Sequence, residues 1–110
     1  MSTIIAFSTG QNIANAIPAL KTRAEKCVIL ETKTAKSKNW SAGLEQVLKG
    51  RGLEVKKQSI APQEENQVHL IKAKLLELAP ADTPVIWSLG GGQKQHQLAV
   101  FWAVGERFKQ

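Results

Sequence analysis

Side chains that can bind a phosphate group are concentrated in three short segments of this sequence. The segments are Ser8-Thr9-Gly10-Gln11-Asn12, the stretch Thr32 to Trp40 with Lys33, Lys36 and Lys38, and Gly90-Gly91-Gly92-Gln93-Lys94. Proteins bind anions with the backbone N–H groups of glycine-rich turns, with hydroxyl groups and with lysines. These residue types therefore predict a phosphate-containing ligand, and Trp40 is placed to stack on a base.

The distribution of charge also indicates an anionic partner. Among the 110 residues, 15 Lys and Arg against 9 Asp and Glu leave a net charge of +6. Ten basic and four acidic residues lie between Lys21 and Lys57, so the whole excess belongs to this region. A regional excess favours an anionic partner over a general contribution to solubility.

Other chemistries find little support in the residue types and spacings. No Ser/His/Asp triad, paired carboxylates or metal-ligand spacing occurs in the sequence, so we expect neither a metal nor a cofactor. The single Cys27 excludes a disulfide framework, and we predict that it is buried and inert. His69 and His96 are expected at the surface. Catalysis would depend on backbone dipoles and on Lys94 as the candidate residue, with His96 as an alternative acid.

The elements that position these residues alternate between strands and helices. Apolar runs predict four strands, which are Thr3–Phe7, Cys27–Leu30, a strand starting at Leu53–Val55, and Pro84–Leu89. Apolar residues at helical spacing predict helices from Asn12, from Trp40 to Gly50, from Pro62 to Pro80 and after Gly92. We expect the third strand at the sheet edge, the fourth strand buried, and Glu31 to Asn39 as a polar loop. Val47 is expected on the apolar face of the second helix.

This order predicts an α/β fold with a Rossmann-like parallel sheet of order 3-2-1-4 and helices on both faces. Ligands bind such sheets where the strand order reverses, here beyond strands 1 and 4. Residues 1–110 form a single domain, and its small sheet is either cut short or completed by a partner. No apolar run approaches the ~20 residues that span a bilayer, and no signal peptide occurs, so we expect no membrane association and a cytoplasmic location.

With these residues in place, the chain resembles the CRISPR-associated Rossmann-fold domain, usually called CARF. The resemblance covers essentially the whole chain. It rests on the loop Ser8–Asn12, on Ile17-Pro18-Ala19-Leu20, on Val28-Ile29-Leu30-Glu31-Thr32, and most specifically on Leu89 to Lys94. Gln93 stands where the family more typically has a threonine, whereas Lys94 matches.

The resemblance implies a homodimer that binds a cyclic oligoadenylate, above all cyclic tetra-adenylate, on its two-fold axis as a sensor in type III CRISPR antiviral signalling. The resemblance also implies an effector domain after this one in most family members, and we expect none within residues 1–110. Apolar residues of the last helix are consistent with dimerisation, and these are Leu98, Phe101, Trp102, Val104, Gly105 and Phe108. Trp87 and Trp102 are expected in the core or an interface.

Three alternatives remain open. A ring nuclease would use the same site to cleave cyclic oligoadenylate without a metal, by attack of a ribose 2′-hydroxyl on the adjacent phosphorus. A general nucleic-acid binder would use the basic region between Lys21 and Lys57, although DNA is not the expected partner. A mononucleotide- or flavin-binding protein is less favoured, because the fingerprint glycines are absent and no acidic residue is expected at a position that reaches a ribose.

Overall fold

The computed structural model of the protein describes residues 3–8, 19–21, 24–64, 67–79, 85–87 and 94–108, with the side chains at 94, 95, 107 and 108 excepted. In chain order, the elements are β1 (Thr3–Phe7), β2 (Lys26–Glu31), α1 (Lys33–Ser37), α2 (Ala42–Gly50), β3 (Glu54–Ser59), α3 (Val68–Leu78), β4 (Val85–Trp87) and α4 (Lys94–Phe108). Residues 19–21 are also helical.

The four strands form one parallel sheet in the order β3-β2-β1-β4. β1 lies between β2 and β4, with Thr3 opposite both Lys26 and Val85. β2 pairs with β3 from Lys26 to Glu31. The predicted fold class and strand order are therefore confirmed, and so is the edge position of β3.

Two hydrophobic clusters lie on opposite faces of this sheet, because successive strand residues point to opposite sides. On one face, Ile5, Phe7, Val28 and Leu30 pack with residues of α3 and α4. On the other face, Ile4, Cys27 and Ile29 pack with Leu44 and Leu48 of α2. Burying a large aliphatic side chain contributes about 1.5–3 kcal/mol each. Helices cover both faces, as expected.

The predicted polar loop from Glu31 to Asn39 is wrong, because this segment contains the five-residue helix α1. The Oγ1 atom of Thr32 accepts a hydrogen bond from the Ala35 backbone N–H at 3.2 Å, which caps the helix. Ala35 is fully buried and attaches the helix to the protein. A single buried alanine among lysines and threonines gives no helical period in the sequence.

Two further boundaries differ from the prediction. The helix expected from Pro62 begins at Val68, and residues 62–64 form a turn instead. Glu64 stabilises this turn by accepting a hydrogen bond from the Ala61 N–H at 3.0 Å. β4 is half-buried rather than buried, because as an edge strand it pairs only with β1 among the described strands.

Val47 also departs from its predicted place, since 48% of its surface is exposed. The buried stripe of α2 is restricted to Leu44 and Leu48, four residues apart. His69 is exposed, as expected. Within the described part of the chain, no helix has the length and apolar character needed to cross a bilayer.

Candidate functional site

Three polar residues lie beside one another at the carboxyl ends of β1, β2 and β3. Ser8 follows β1, and its backbone N–H donates a hydrogen bond to the Leu30 carbonyl at 2.8 Å. Glu31 ends β2 and lies opposite Ser59, the last residue of β3. Glu31 follows Cys27 and Ile29 on the sheet face that α2 covers, because strand residues alternate between faces. The carboxyl ends of these three neighbouring strands therefore carry a carboxylate residue between two hydroxyl residues.

Lysines from two helices approach the same edge. The Lys36 Nζ atom of α1 lies 3.4 Å from Ser59 Oγ, and the Lys74 Nζ atom of α3 donates to the Ser59 carbonyl at 3.3 Å. The short helix α1 positions Lys36, since the Thr32 cap fixes its first turn against the end of β2. The end of β3 thus has a lysine on each face of the sheet.

A cleft of about 260 Å³ opens between the ends of β2 and β3. Its lining combines a carboxylate, two hydroxyls and two lysines with three apolar residues that follow β3. The described lining residues are Glu31, Thr32, Lys33, Lys36, Ser59, Ile60, Ala61 and Pro62. The cleft can accept an anion at its lysines, a hydrogen-bond donor at its carboxylate and an apolar group against Ala61 and Pro62.

Glu31 and Ser59 are polar residues of this cleft that the sequence did not predict as part of the site. The Glu31 side chain is only 5% exposed, and Ser41 Oγ donates a hydrogen bond to its Oε2 atom at 2.9 Å. Ser41 is fully buried at the start of α2, where its hydroxyl makes no capping hydrogen bond. Glu31 ends β2 and lines the cleft, so an acidic side chain lies at the carboxyl ends of the strands. The signal was available in the sequence, as Glu31 follows Gly10 by about 20 residues, the usual separation in dinucleotide-binding folds.

The structure brings together some of the predicted binding residues and separates others. Thr32, Lys33 and Lys36 line the cleft, whereas Lys38 and Trp40 are not among its described lining residues. Trp40 is half-buried, and Lys38 Nζ lies 5.7 Å from the centre of its ring. A stacking role for Trp40 stays a prediction.

The remaining predicted binding residues concern the two glycine-containing loops. Thr9, Gly10, Gln11, Asn12, Gly90, Gly91, Gly92 and Gln93 lie outside the described residues. Lys94 is the first residue of α4, and its side chain is also outside the described set. The sheet order nevertheless places β1 and β4 side by side and parallel, so the carboxyl ends of both strands lie on the same side of the sheet as the cleft.

Two side chains that could be chemically reactive, those of His96 and Cys27, are both buried. The surface position predicted for His96 is wrong, since it is 2% exposed and stacks on Phe7 with ring centroids 4.5 Å apart. It belongs to the buried face of α4 with Ala99, Val100 and Ala103. Cys27 is buried as predicted, and burial raises the pKa of its thiol to about 12. The thiol is therefore un-ionised and inert at neutral pH.

Comparison with known proteins gives a fold but no family. No family model and no curated protein sequence matches the chain. Among solved structures, it is similar to Can2 from Sulfobacillus thermosulfidooxidans in complex with cyclic tetra-adenylate, with a TM-score of 0.74 and 20% identity over 97% of this chain and 30% of that chain. It is also similar to protein VC1899 from Vibrio cholerae, with a TM-score of 0.74 and 16% identity over 96% of this chain and 28% of that chain.

These likenesses show the fold, because the identities are low. The chain spans less than a third of the length of either protein. Both alignments cover nearly all of this chain, which therefore corresponds to one part of each larger protein.

Proposed function

We propose that residues 1–110 form a CARF-like domain that binds cyclic tetra-adenylate as a homodimer and serves as a sensor in type III CRISPR antiviral signalling. The observation that carries this proposal is the likeness of 97% of the chain to a protein solved with cyclic tetra-adenylate bound. The fold likeness and the residue-based resemblance to CARF domains point to the same ligand.

The chemistry at the carboxyl edge of the sheet supports an oligonucleotide ligand. Lys36 and Lys74 converge on the end of β3, and Lys33 lies at the same cleft. Ligands bind open parallel sheets beyond this edge, where the loops after β1 and β4 also leave the sheet. Lysines supply charge-assisted hydrogen bonds to phosphates, each contributing about 1.5–3 kcal/mol.

The outer face of α4 supports a dimer. Leu98, Phe101 and Trp102 expose 60%, 64% and 45% of their surfaces, although they are apolar. Phe101 and Trp102 follow Leu98 by three and four residues, so the three form one stripe, opposite the buried His96, Ala99, Val100 and Ala103. Lys72 Nζ lies 4.2 Å from the centre of the Trp102 ring and borders the stripe. Contiguous exposed apolar surface of this kind marks an interaction site.

The proposal is tested by calorimetric titration with cyclic tri-, tetra- and hexa-adenylate and with linear tetra-adenylate as the control. We expect the cyclic tetramer to bind at least about tenfold more tightly than the linear form, because a closed ring matches a two-fold site without an ordering cost. Product analysis after prolonged incubation distinguishes binding from cleavage. Equal affinity for linear and cyclic forms, together with a steep loss of affinity in salt, would support a general nucleic-acid binder instead.

Lysine variants locate the binding surface. We expect Lys94→Ala to weaken binding by one to several powers of ten, since a dimer loses about two charge-assisted contacts. Lys36→Ala should weaken it by less than about tenfold, because Lys36 is exposed and solvent screens its charge. Lys56→Ala is the control, since it removes the same charge from an exposed position on β3 outside the cleft. Equal effects of Lys94→Ala and Lys56→Ala would show that the loop after β4 does not bind phosphate.

A further inference from the structure

We propose that Glu31 binds the 2′-hydroxyl group of one nucleotide of the ligand and thereby selects ribonucleotides over deoxyribonucleotides. The inference rests on the proposed function, because it assigns one subsite of the same ligand. Glu31 is an acidic residue in a cleft whose other charged residues, Lys33 and Lys36, are basic.

The chemistry of a carboxylate determines what can lie against it. An ionised carboxylate accepts hydrogen bonds and donates none, and it repels phosphate oxygens. Glu31 lines the cleft beside Lys33 and Lys36, so a ligand that places its phosphates at the lysines must present a donor to Glu31. In a cyclic 3′–5′ oligonucleotide, the 2′-hydroxyl is the donor that each sugar retains.

The orientation of Glu31 is fixed before the ligand arrives. Ser41 Oγ donates to Oε2 at 2.9 Å, and both side chains are at least 95% buried. Since Ser41 occupies Oε2, the proposal assigns the other carboxylate oxygen, Oε1, to the ligand. A preorganised acceptor loses little side-chain entropy on binding.

The neighbouring surfaces accommodate the rest of a nucleoside. Beyond Glu31, the cleft is bounded by Ala61 and Pro62 after β3, which offer apolar surface to a base, while Ile60 behind them is buried. The volume of about 260 Å³ falls just below the roughly 300–1,000 Å³ of pockets for drug-sized ligands. It therefore suits one nucleoside, with its phosphate at Lys33 and Lys36.

The experiment compares cyclic tetra-adenylate with its all-2′-deoxy analogue on the parent protein, on Glu31→Gln and on Glu54→Gln. Glu54 is the matched control, because it is exposed at the opposite end of the neighbouring strand. The readout is the ratio of the two affinities, since removal of a negative charge also alters the attraction for phosphates. We expect the parent and Glu54→Gln to prefer the ribose form by about 10- to 100-fold, and Glu31→Gln to lose most of this preference.

Glu31→Asp is the second variant, in case the glutamine disturbs the buried hydrogen bond. It retains the charge and withdraws the carboxylate by one methylene, so we expect it to reduce the preference as well. Circular dichroism and urea denaturation verify that each variant is folded. A preference that is absent in the parent, or unchanged in both folded Glu31 variants, would overturn the assignment while leaving the proposed function intact.

Adenosine 5′-monophosphate and its 2′-deoxy form separate the two proposals. If the cyclic tetramer does not bind but the ribonucleotide is preferred over the deoxyribonucleotide through Glu31, the ribose site stands and the proposed function fails. If neither the ring nor the mononucleotide binds at millimolar concentration, both proposals are wrong.

Discussion

Phe101→Glu is the substitution that we expect to dissociate the proposed dimer. Phe101 exposes 64% of its surface at the centre of the apolar stripe on α4. An aromatic side chain offers about 150–250 Å², so roughly 100–150 Å² of Phe101 is available on each protomer. In a two-fold dimer, both protomers bury this area. At about 25 cal/mol per Å², the burial of both Phe101 side chains stabilises the dimer by ~5–7 kcal/mol as an upper limit.

We expect the substitution to raise the dimer dissociation constant by between about 100-fold and 10,000-fold. The increase is smaller than the upper limit implies, because ordering the side chains at the interface offsets part of the free energy gained by burial. The glutamate adds the cost of bringing two negative charges together across the axis. The fold of each protomer should be unaffected, since Phe101 lies on the outer face of α4, opposite Ala99, Val100 and Ala103.

Sedimentation equilibrium over a range of micromolar concentrations measures the constant. Val47→Glu is the control, because Val47 is also an exposed apolar residue, with 48% of its surface accessible, but lies on α2. The parent and Val47→Glu should sediment at twice the 12.0 kDa mass of one chain, and Phe101→Glu at that mass. A parent that is monomeric with and without cyclic tetra-adenylate, or a Phe101→Glu protein that remains dimeric, would refute the assignment of this face.

Two buried groups give predictions about stability. Ser41→Ala should lower the free energy of unfolding in urea by about 1.5–3 kcal/mol, since it removes a hydrogen bond to the buried Glu31 carboxylate; an unchanged midpoint would show that the bond adds nothing. Burial raises the pKa of Cys27 from 9.0 to about 12, so the folded state holds this proton more tightly than the unfolded state. Stability should therefore fall by up to ~1.4 kcal/mol per pH unit above about pH 9, and Cys27→Val should remove this part of the slope. Parallel pH profiles of the two proteins would contradict the assignment.

The strand order could be predicted because it depends on strong, local signals. The runs Thr3–Phe7 and Cys27–Leu30 are apolar on both faces, as strands covered by helices require. Right-handed crossover connections then leave few arrangements for four parallel strands. The edge position of β3 was predicted because the run Leu53–Val55 is less hydrophobic than the other strands, and most residues of β3 are exposed in the structure.

The errors concern residues whose environment depends on distant parts of the chain. His96 is buried because α4 turns this residue towards Phe7, and a lone histidine among polar residues gives no sign of that. Helix α1 is held by one cap and one buried alanine, which no helical period can indicate.

The candidate site was predicted only in part for a similar reason. The sequence places lysines after β2, and three of the predicted residues, Thr32, Lys33 and Lys36, line one cleft. The approach of Lys74 from α3 depends on how that helix packs, so its spacing to Ser59 could not be foreseen. Glu31 is the one acidic residue between Lys26 and Lys38, and its residue type alone does not mark it as part of an anion site. The partnership with Ser41 joins residues ten positions apart, through a turn that no motif marks.

The central position of β1 has a consequence for how the protein folds. β1 pairs with β2, about 20 residues later, but its other partner is β4, so that Thr3 must meet Val85. Closing the long loop between Thr3 and Val85 costs chain entropy before any contact between β1 and β4 is made. Sheets built from strands so distant in sequence fold slowly. During synthesis, β1 and β2 emerge long before β4. Until β4 is made, the edge of β1 that includes Ile4 and Ile5 has no partner strand. An apolar strand edge of this kind is a template for aggregation. Translation speed and chaperones should therefore affect the yield of this protein more than its small size suggests.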